Sequence, residues 1–582
     1  MDTPQNPSPQ RRWFGRDSGF QAGLLTRLPT DTMVLAVCAW MVVVGNGALW
    51  RALLQDRQPS EPRTLWFVLA TGLCLIALHF TILAPLATRW SARPLLSLMI
   101  LVTAFASYFI DRFGIYLDSS MLRNVLRTDV HEASELFAWA MLPHLLLQAA
   151  LPLWLLWRSQ PMSRPGWRGL ARRCGLWLLM AALGVGALLS VFQDAAATMR
   201  NRKELRFLIT PANVLWSLSV VAMQDSGSAM APRQAIGTDA ARGPRAQAAG
   251  RRPMRVILVI GETARAANWG LNGYSRATTP RLALMPDIVS FTDVTSCGTN
   301  TEVSLPCMFS PGGRRRYDEA LIRRSESLLH VLHRSGVQVL WRDNQSGCKG
   351  VCDGLPNEQI NPTLAPALCA SGRCFDEALL AGLDQRLRAD TGGRANGAAS
   401  VPGTVGTAGT VGDQLIVLHQ LGNHGPAYDQ RYPDAFRRFV PVCDTADLRR
   451  CSREQIVNAY DNALLYTDHV LAQAIDGLRR SSATHDTALL YVSDHGESLG
   501  ENGLYLHGLP YAIAPNVQTK VPMLLWLSEP LAHQQRIDTG CLRQRASQAA
   551  SHDHLFHSLL GLFDVTTTLY EPAMDVFSAC RK

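Results

Sequence analysis

Apolar residues in this chain are gathered at its front. Five runs, Met33–Trp50, Leu65–Ala87, Pro94–Ile110, Leu136–Trp157 and Cys174–Phe192, are nearly free of charge, and each is about the length that spans a bilayer. Short charged loops separate them, which predicts five membrane helices rather than a set of buried core helices. The tail ahead of them is polar, with no h-region and cleavage site, so it is read as retained. After Phe192 the pattern changes. Short Val, Ile and Leu runs alternate with helical spacing, which predicts an α/β fold with a largely parallel sheet. A chain of 582 residues is too long for one core. Its expected parts are a tail (1–32), a five-helix transmembrane domain (33–193), a membrane-surface connector and linker (194–253) and an α/β/α domain (254–582).

The arginines orient the membrane part. Arg11, Arg12, Arg16 and Arg27 precede the first run, Arg89 and Arg93 follow the second, and Arg158, Arg164, Arg168, Arg172 and Arg173 follow the fourth. The opposite loops hold fewer: Arg51, Arg57 and Arg63 on one, and Arg112, Arg123 and Arg127, among acids, on the other. The tail is therefore expected in the cytoplasm and everything after Phe192 outside it; if the membrane is a bacterial inner membrane, that compartment is the periplasm. The net charge of +9 follows from this topology and gives no reason to expect nucleic acid.

Cysteine usage agrees. Of 13 cysteines, those after Phe192 fall into close pairs, Cys297 with Cys307, Cys348 with Cys352, Cys369 with Cys374 and Cys443 with Cys451, while Cys541 and Cys580 remain to pair with each other. Short spacings outside the cytoplasm read as disulfides. The competing reading is a thiolate zinc site made from the Cys348/Cys352 and Cys369/Cys374 pairs. Met199–Val221, basic and then apolar, suits a segment lying along the membrane surface. Residues 225–252, rich in Ala, Gly, Arg and Pro, read as a flexible tether, and Thr391–Gly412 as a disordered loop.

Four apolar segments of the second half end in residues able to hold a ligand. Arg255–Ile260 runs into Glu262, Leu415–Leu418 into His419 and then His424, Thr487–Val492 into Asp494 and His495, and Val337–Leu340 into Arg342 and Asp343. Open parallel sheets place their chemistry beyond the carboxyl ends of strands. As neighbours, these segments would bring Glu262, His424, Asp494 and His495 to one crevice, a carboxylate and imidazole set suited to catalytic zinc or manganese. His507 follows His495 after a glycine-broken turn. A nucleophile is offered by TSCGTNTEVSLPCMF (295–309), a loop entering a helix where backbone N–H groups welcome phosphate. Thr299 and Thr301 are both candidates, because a divalent metal would lower the pKa of either hydroxyl.

The strings IGETARAANWGLNGYSR (260–276), TSCGTNTEVSLPCMF, LWRDNQSGCKGV (340–351), HQLGNHGPAY (419–428), NAYDNALLYTD (458–468) and YVSDHGESLGENGLYLHG (491–508) give the chain its likeness. Together with the apolar runs, it resembles the membrane-bound phosphoethanolamine transferases that modify lipid A, the family that includes the mobile colistin-resistance enzymes. The resemblance implies an alkaline-phosphatase-like α/β/α catalytic domain. It implies Glu262, Thr301, Asp494 and His495 as primary zinc ligands, with Thr301 in the nucleophile's place. His424 and His507 match histidines that hold a second zinc or the phosphoryl group. Lys349 and Ser346 match residues near the donor head group, and Asn124, Thr128 and Glu132 match a membrane-proximal set that contacts the lipid donor. The spacing of those three would put them on one face of a helix. Two departures stand out: Gln345 where the colistin-resistance enzymes have asparagine, and Glu302 after the nucleophile where a small apolar residue is usual.

The expected reaction, for a monomer, moves phosphoethanolamine from phosphatidylethanolamine to a lipid A phosphate through a phosphoethanolamine–threonine ester. This lowers envelope negative charge and polymyxin binding. Alternatives are transfer to a core sugar or another glycan, and a phosphoglycerol transferase. A sulfatase would need a Cys/Ser-x-Pro-x-Arg string, which Ser310-Pro311 does not complete. A non-catalytic anchor would not need every ligand to be present.

Overall fold

The computed structural model describes residues 26–55, 57–128, 130–162, 166–228, 233–370, 373–383, 385 and 412–582. The chain forms two compact units. One is Met1–Gly45, Ser60–Leu101 and Leu145–Phe192, and the other is Asn46–Pro59, Val102–His144 and Gln193–Lys582.

In the first unit the helix Pro62–Leu83 packs along Trp167–Ser190. Small residues permit the approach, since a Cβ on Gly184 would lie 2.7 Å from that of Ala77. Large apolar side chains such as Leu65, Trp66, Leu179 and Leu189 remain exposed, as on a surface that faces lipid. Among the described residues, Pro62–Leu83, Ala92–Phe113 and Trp167–Ser190 are long and apolar enough to cross a membrane. The pair Thr30–Val43 and Gly47–Leu54, bent by 53°, makes a fourth candidate. The run expected to span over 136–157 is less regular. It is helical only over 141–158, and its middle, Leu146–Ala150, widens into a π-helix. Pro152, just beyond, withholds an N–H from the ladder.

The second unit is organised by an eight-stranded sheet. Its strands are β1 (Met254–Gly261), β2 (Ile288–Thr295), β3 (Gln338–Asp343), β4 (Asn357–Gln359), β5 (Gln414–His419), β6 (Asp486–Ser493), β7 (Lys520–Leu527) and β8 (Ala550–Ser551). They lie in the order β8-β2-β7-β6-β1-β5-β3-β4. Every neighbouring pair is parallel except the two made by β7. β1 explains the layering. Its residues alternate between the two faces, as a strand's must. Val256, Leu258 and Ile260 pack on the side that holds Leu305 of the helix Thr301–Met308 and Leu559 of Asp553–Leu562. Ile257 and Val259 pack on the other side with Ile456, Leu464 and Leu471 of the long helix Arg453–Ser481. Ser452 and Gln455 start that helix with a reciprocal capping box. The result is the expected α/β/α sandwich with a largely parallel sheet.

All five expected cysteine pairs are disulfides, Cys297–Cys307, Cys348–Cys352, Cys369–Cys374, Cys443–Cys451 and Cys541–Cys580. The thiolate zinc site is therefore ruled out.

The tether expected over 225–252 is corrected where it is described. Residues 233–252 are strapped to the second unit. Gln234 N donates to Arg324 O at 2.7 Å, and Ala241–Arg242 pairs with Val565–Thr566. Arg245 meets Asp564 at 2.8 Å. Asp413, buried, accepts from Arg242, from Arg251 at 2.8 and 2.9 Å and from the Met254 N–H at 2.7 Å. A linker-like composition concealed arginines that each have a carboxylate waiting on the folded domain. The loop expected over 391–412 lies outside the described residues, apart from its last residue. Asp413→Ala strands two part-buried guanidinium groups and should cost about 3 kcal/mol or more, read as a lower melting temperature of the full chain. An unchanged melting temperature would show that the strap is dispensable.

Candidate active site

Three parallel neighbours deliver the site. β1 lies between β5 and β6, so Glu262, the loop after His419, and Asp494 with His495 emerge at the same edge. Backbone bonds lock the ends together: Asp494 N donates to Gly261 O at 2.9 Å and Asn423 N to Glu262 O at 3.0 Å. The loop that carries His424 comes so near that a Cβ on Gly422 would sit 2.7 Å from Glu262 O, and Gly422 also has φ of +53°. Only glycine suits that position.

His495 Nε2 is the centre. It lies 3.3 Å from Glu262 Oε1, 3.2 Å from Asp494 Oδ2 and 3.4 Å from Thr301 Oγ1. Thr301 Oγ1 is also 3.1 Å from Glu262 Oε2. Glu262, Asp494 and His495 are fully buried. Their ligand atoms gather closely enough to hold one metal ion, and Glu262, His424 and His507 form a second such group. His507 bridges the two, with ring centroids 4.4 Å from His495 and 5.4 Å from His424.

The donor set fits a divalent cation. Nδ1 of His495 lies 3.0 Å from Gly496 O, and Nδ1 of His507 lies 2.9 Å from Glu497. Carbonyl and carboxylate partners there place the ring proton on Nδ1 and leave each Nε2 lone pair for a metal. Asp494 Oδ1 accepts from His495 N–H at 2.7 Å, while Oδ2 has no hydrogen-bond donor among the described residues. Burial, and then the charge of Glu262, push the Asp494 carboxyl up to about 7. Burial alone would lower His495, but the charges of Asp494 and Glu262 lift it to about 10. For Glu262 burial raises the pKa, while the hydrogen bond and charge of His495, aided by His424 and His507, bring it below its ordinary value. Without a metal the positive charge between the two carboxylates falls to His495, and its Nε2 becomes a ligand only when that proton leaves. A metal ion supplies that charge in its place.

Thr301 opens the helix Thr301–Met308, capped by Asn300, whose side chain accepts from Val303 N at 3.0 Å. The turn before it is tight, since a Cβ on Gly298 would meet Ser304 N at 2.8 Å, and Cys297–Cys307 ties its two ends. Thr299 faces elsewhere, donating to Leu509 O at 2.6 Å. Glu302 is fully buried, and its carboxylate meets Arg127 at 3.1 Å, Arg323 at 3.5 Å and Lys349 at 3.8 Å. The departure noted in the sequence is thus accommodated by three cations that converge on it. Gln345, the other departure, donates to Glu262 Oε2 at 3.3 Å.

Lys349 Nζ donates to Ser346 Oγ at 2.7 Å, so this pair stands together beside Glu302. The single helical face expected for Asn124, Thr128 and Glu132 is not formed. The helix Ser119–Arg127 ends before Thr128, which is extended (φ −65°, ψ 131°) and whose hydroxyl donates to Asn124 O at 2.8 Å. There the hydroxyl satisfies one of the carbonyls that a helix end leaves without an intrahelical partner. The Glu132 side chain lies outside the described residues. Sequence reasoning missed Glu497, which orients His507 and accepts from Tyr428 at 3.1 Å. Its position two residues after His495 was a usable signal. It also missed Arg431 and Glu135, far apart in sequence and joined only by folding.

Comparisons with known proteins identify the family of the chain. Residues 255–565 match the sulfatase family model, and residues 75–225 match the model described as phosphoethanolamine transferase EptA/EptB. A sulfatase-like catalytic domain joined to a transferase membrane domain is thereby defined. Phosphoethanolamine transferase EptA of Escherichia coli K12 is 39% identical over 565 residues, covering 94% of this chain and 98% of that one. Phosphatidylethanolamine transferase Mcr-1 of Escherichia coli is 36% identical over 544 residues, 92% of this chain and 95% of its own. The integral membrane lipooligosaccharide phosphoethanolamine transferase A (EptA) of Neisseria meningitidis superposes with a TM-score of 0.87 at 35% identity, covering 96% of this chain and all of that structure. The chain belongs to the phosphoethanolamine transferase family, on an alkaline phosphatase/sulfatase-like fold.

In purified full-length protein, Asp494→Ala and His495→Ala should lose bound divalent metal by elemental analysis, whereas Lys349→Ala should keep it. A normal metal content in the Asp494 variant would place the ion elsewhere. Glu302→Ala leaves three cations facing an empty site and should destabilise the fold by about 3–5 kcal/mol, measured by thermal denaturation.

Proposed function

We propose that the protein transfers phosphoethanolamine from phosphatidylethanolamine to a phosphate of lipid A, in the periplasm at the bacterial inner membrane, by way of a threonine ester. The observation that carries this reading is Thr301 Oγ1 at a helix N-terminus, 3.1 Å from Glu262 and 3.4 Å from His495. The names of the relatives support donor and acceptor, since Mcr-1 is a phosphatidylethanolamine transferase and the Neisseria enzyme acts on lipooligosaccharide.

Zinc is the cation this oxygen and imidazole set suits, with Glu262, Thr301, Asp494 and His495 as its ligands, and it would lower the hydroxyl pKa and neutralise phosphoryl charge. The chain's own groups do the rest. Glu262 accepts the Thr301 hydroxyl hydrogen bond and orients the oxygen. Thr301 Oγ attacks phosphorus, the bond to diacylglycerol breaks, and the displaced oxygen takes up the proton that Thr301 gave up. The phosphoethanolamine group then rests on Thr301, an acceptor phosphate oxygen attacks the same phosphorus, the P–Oγ bond breaks, and Oγ takes up the proton that the acceptor phosphate releases. His424, His507 and Lys349 balance charge on the phosphoryl oxygens. The added ammonium offsets a phosphate charge, so cationic polymyxins bind the modified surface less well.

Thr301→Ala should abolish transfer while the protein still folds and retains metal through Glu262, Asp494 and His495. Thr299→Ala should be mild. Wild-type enzyme given phosphatidylethanolamine alone should show an adduct on the peptide containing Thr301 by mass spectrometry. An adduct on Thr299, or an active Thr301→Ala enzyme, would overturn the assignment.

A further inference from the structure

Beside the metal cluster lies a cavity of about 540 Å³ whose wall includes His424, Ser346, Arg127, Arg373, Arg431 and Glu135. Two of the three arginines, Arg373 and Arg431, share Glu135, while Arg127 is paired with Glu302 and Asp225. Arg431 is 4% exposed and fixed from two sides, since its Nε donates to the His424 carbonyl at 2.6 Å and its Nη2 pairs with Glu135 Oε2. Its remaining nitrogen, Nη1, has no hydrogen-bond acceptor among the described residues. Arg373 Nη1 meets the other oxygen, Glu135 Oε1, at 2.5 Å, and the Cys369–Cys374 disulfide holds the short strand that carries it. One carboxylate between two guanidinium groups keeps them side by side and leaves net positive charge on the wall.

The geometry points to this cavity as the site for the phosphate of the acceptor glycolipid, with Arg431 and Arg373 as its binding residues. Paired guanidinium groups match phosphate oxygens, and an idle donor on a buried arginine is costly until an anion meets it. Arg431 is bonded to the peptide of His424, so the anion is set at a fixed distance from the reacting centre. Although Ser346, matched by resemblance to the donor side, is on the same wall, the donor head group fits the arginines less well. It carries an ammonium, and both oxygens of the cavity's one carboxylate are already taken by arginine. The amides of Asn344, Gln345 and Gln359 on the same wall suit the hydroxyls of a sugar that bears the phosphate.

This inference rests on the transferase reading above but not on the threonine ester. The test is bisubstrate kinetics of the full-length enzyme in detergent micelles, with phosphatidylethanolamine as donor and lipid A as acceptor. Arg431→Gln and Arg373→Gln should each raise KM for lipid A by roughly tenfold or more, the cost of a lost charge-assisted bond. They should leave KM for phosphatidylethanolamine, and the rate of adduct formation without acceptor, little changed. Arg373, part-exposed, guards against the case in which the Arg431 variant misfolds, and Arg373→Lys should restore part of the acceptor affinity. An unchanged lipid A KM would overturn the proposal, and so would an equal rise in the donor KM, which would make the cavity the donor's. If the wild type forms no adduct, the threonine route fails, and the two KM values still decide the cavity.

Discussion

Two carboxylates buried against one imidazole set the terms for the rest of this domain. Glu262 and Asp494 are both without solvent, and His495 is the counter-charge between them. Such a cluster is tolerable only if its charges offset one another and each residue is held where it cannot turn away to water. Much of the surrounding structure supplies that restraint. The three strand ends are cross-bonded, glycine stands where the neighbouring loop presses on Glu262, and carbonyl or carboxylate groups fix both ring tautomers. A catalytic group held this firmly needs little rearrangement when charge develops on the substrate.

The same restraint explains the loop that presents Thr301. A hydroxyl at the first turn of a helix is ordinarily free to choose its rotamer. Here Gly298 lets the chain turn tightly, Cys297–Cys307 ties the two ends, and Asn300 caps the helix. Thr299, two residues away, is spent on a backbone carbonyl. Position in the turn, not residue type, separates the two threonines.

Charge also organises the periphery. Glu302 gathers Arg127, Arg323 and Lys349 around the start of the helix Thr301–Met308, while Asp413 gathers Arg242 and Arg251. In both places a buried acid reaches residues distant in sequence. The segment Ser119–Arg127, next to the apolar front of the chain, is joined in this way to the catalytic domain, with Arg123 pairing Glu319 as well.

The sequence by itself showed the α/β pattern, the candidate ligands and the cysteine pairs. Short, continuously apolar runs that end in Glu262, Asp494, His495 and the His424 loop point to buried strands with candidate ligands at one edge, and short cysteine spacings leave little choice of partner. These signals are local, so they survive without a structure. What only the tertiary structure decided depends on pairs far apart in the chain. The helix ends at Thr128, where the hydroxyl satisfies the Asn124 carbonyl, and residue spacing does not register such a break. The packing of residues 233–252 follows from acids at 413 and 564, which composition cannot place. The meeting of Glu135, Arg373 and Arg431 joins separate segments. A lone arginine or glutamate in sequence reads as a solvated charge, and only the fold, by removing the water around it, gives it a partner and a task.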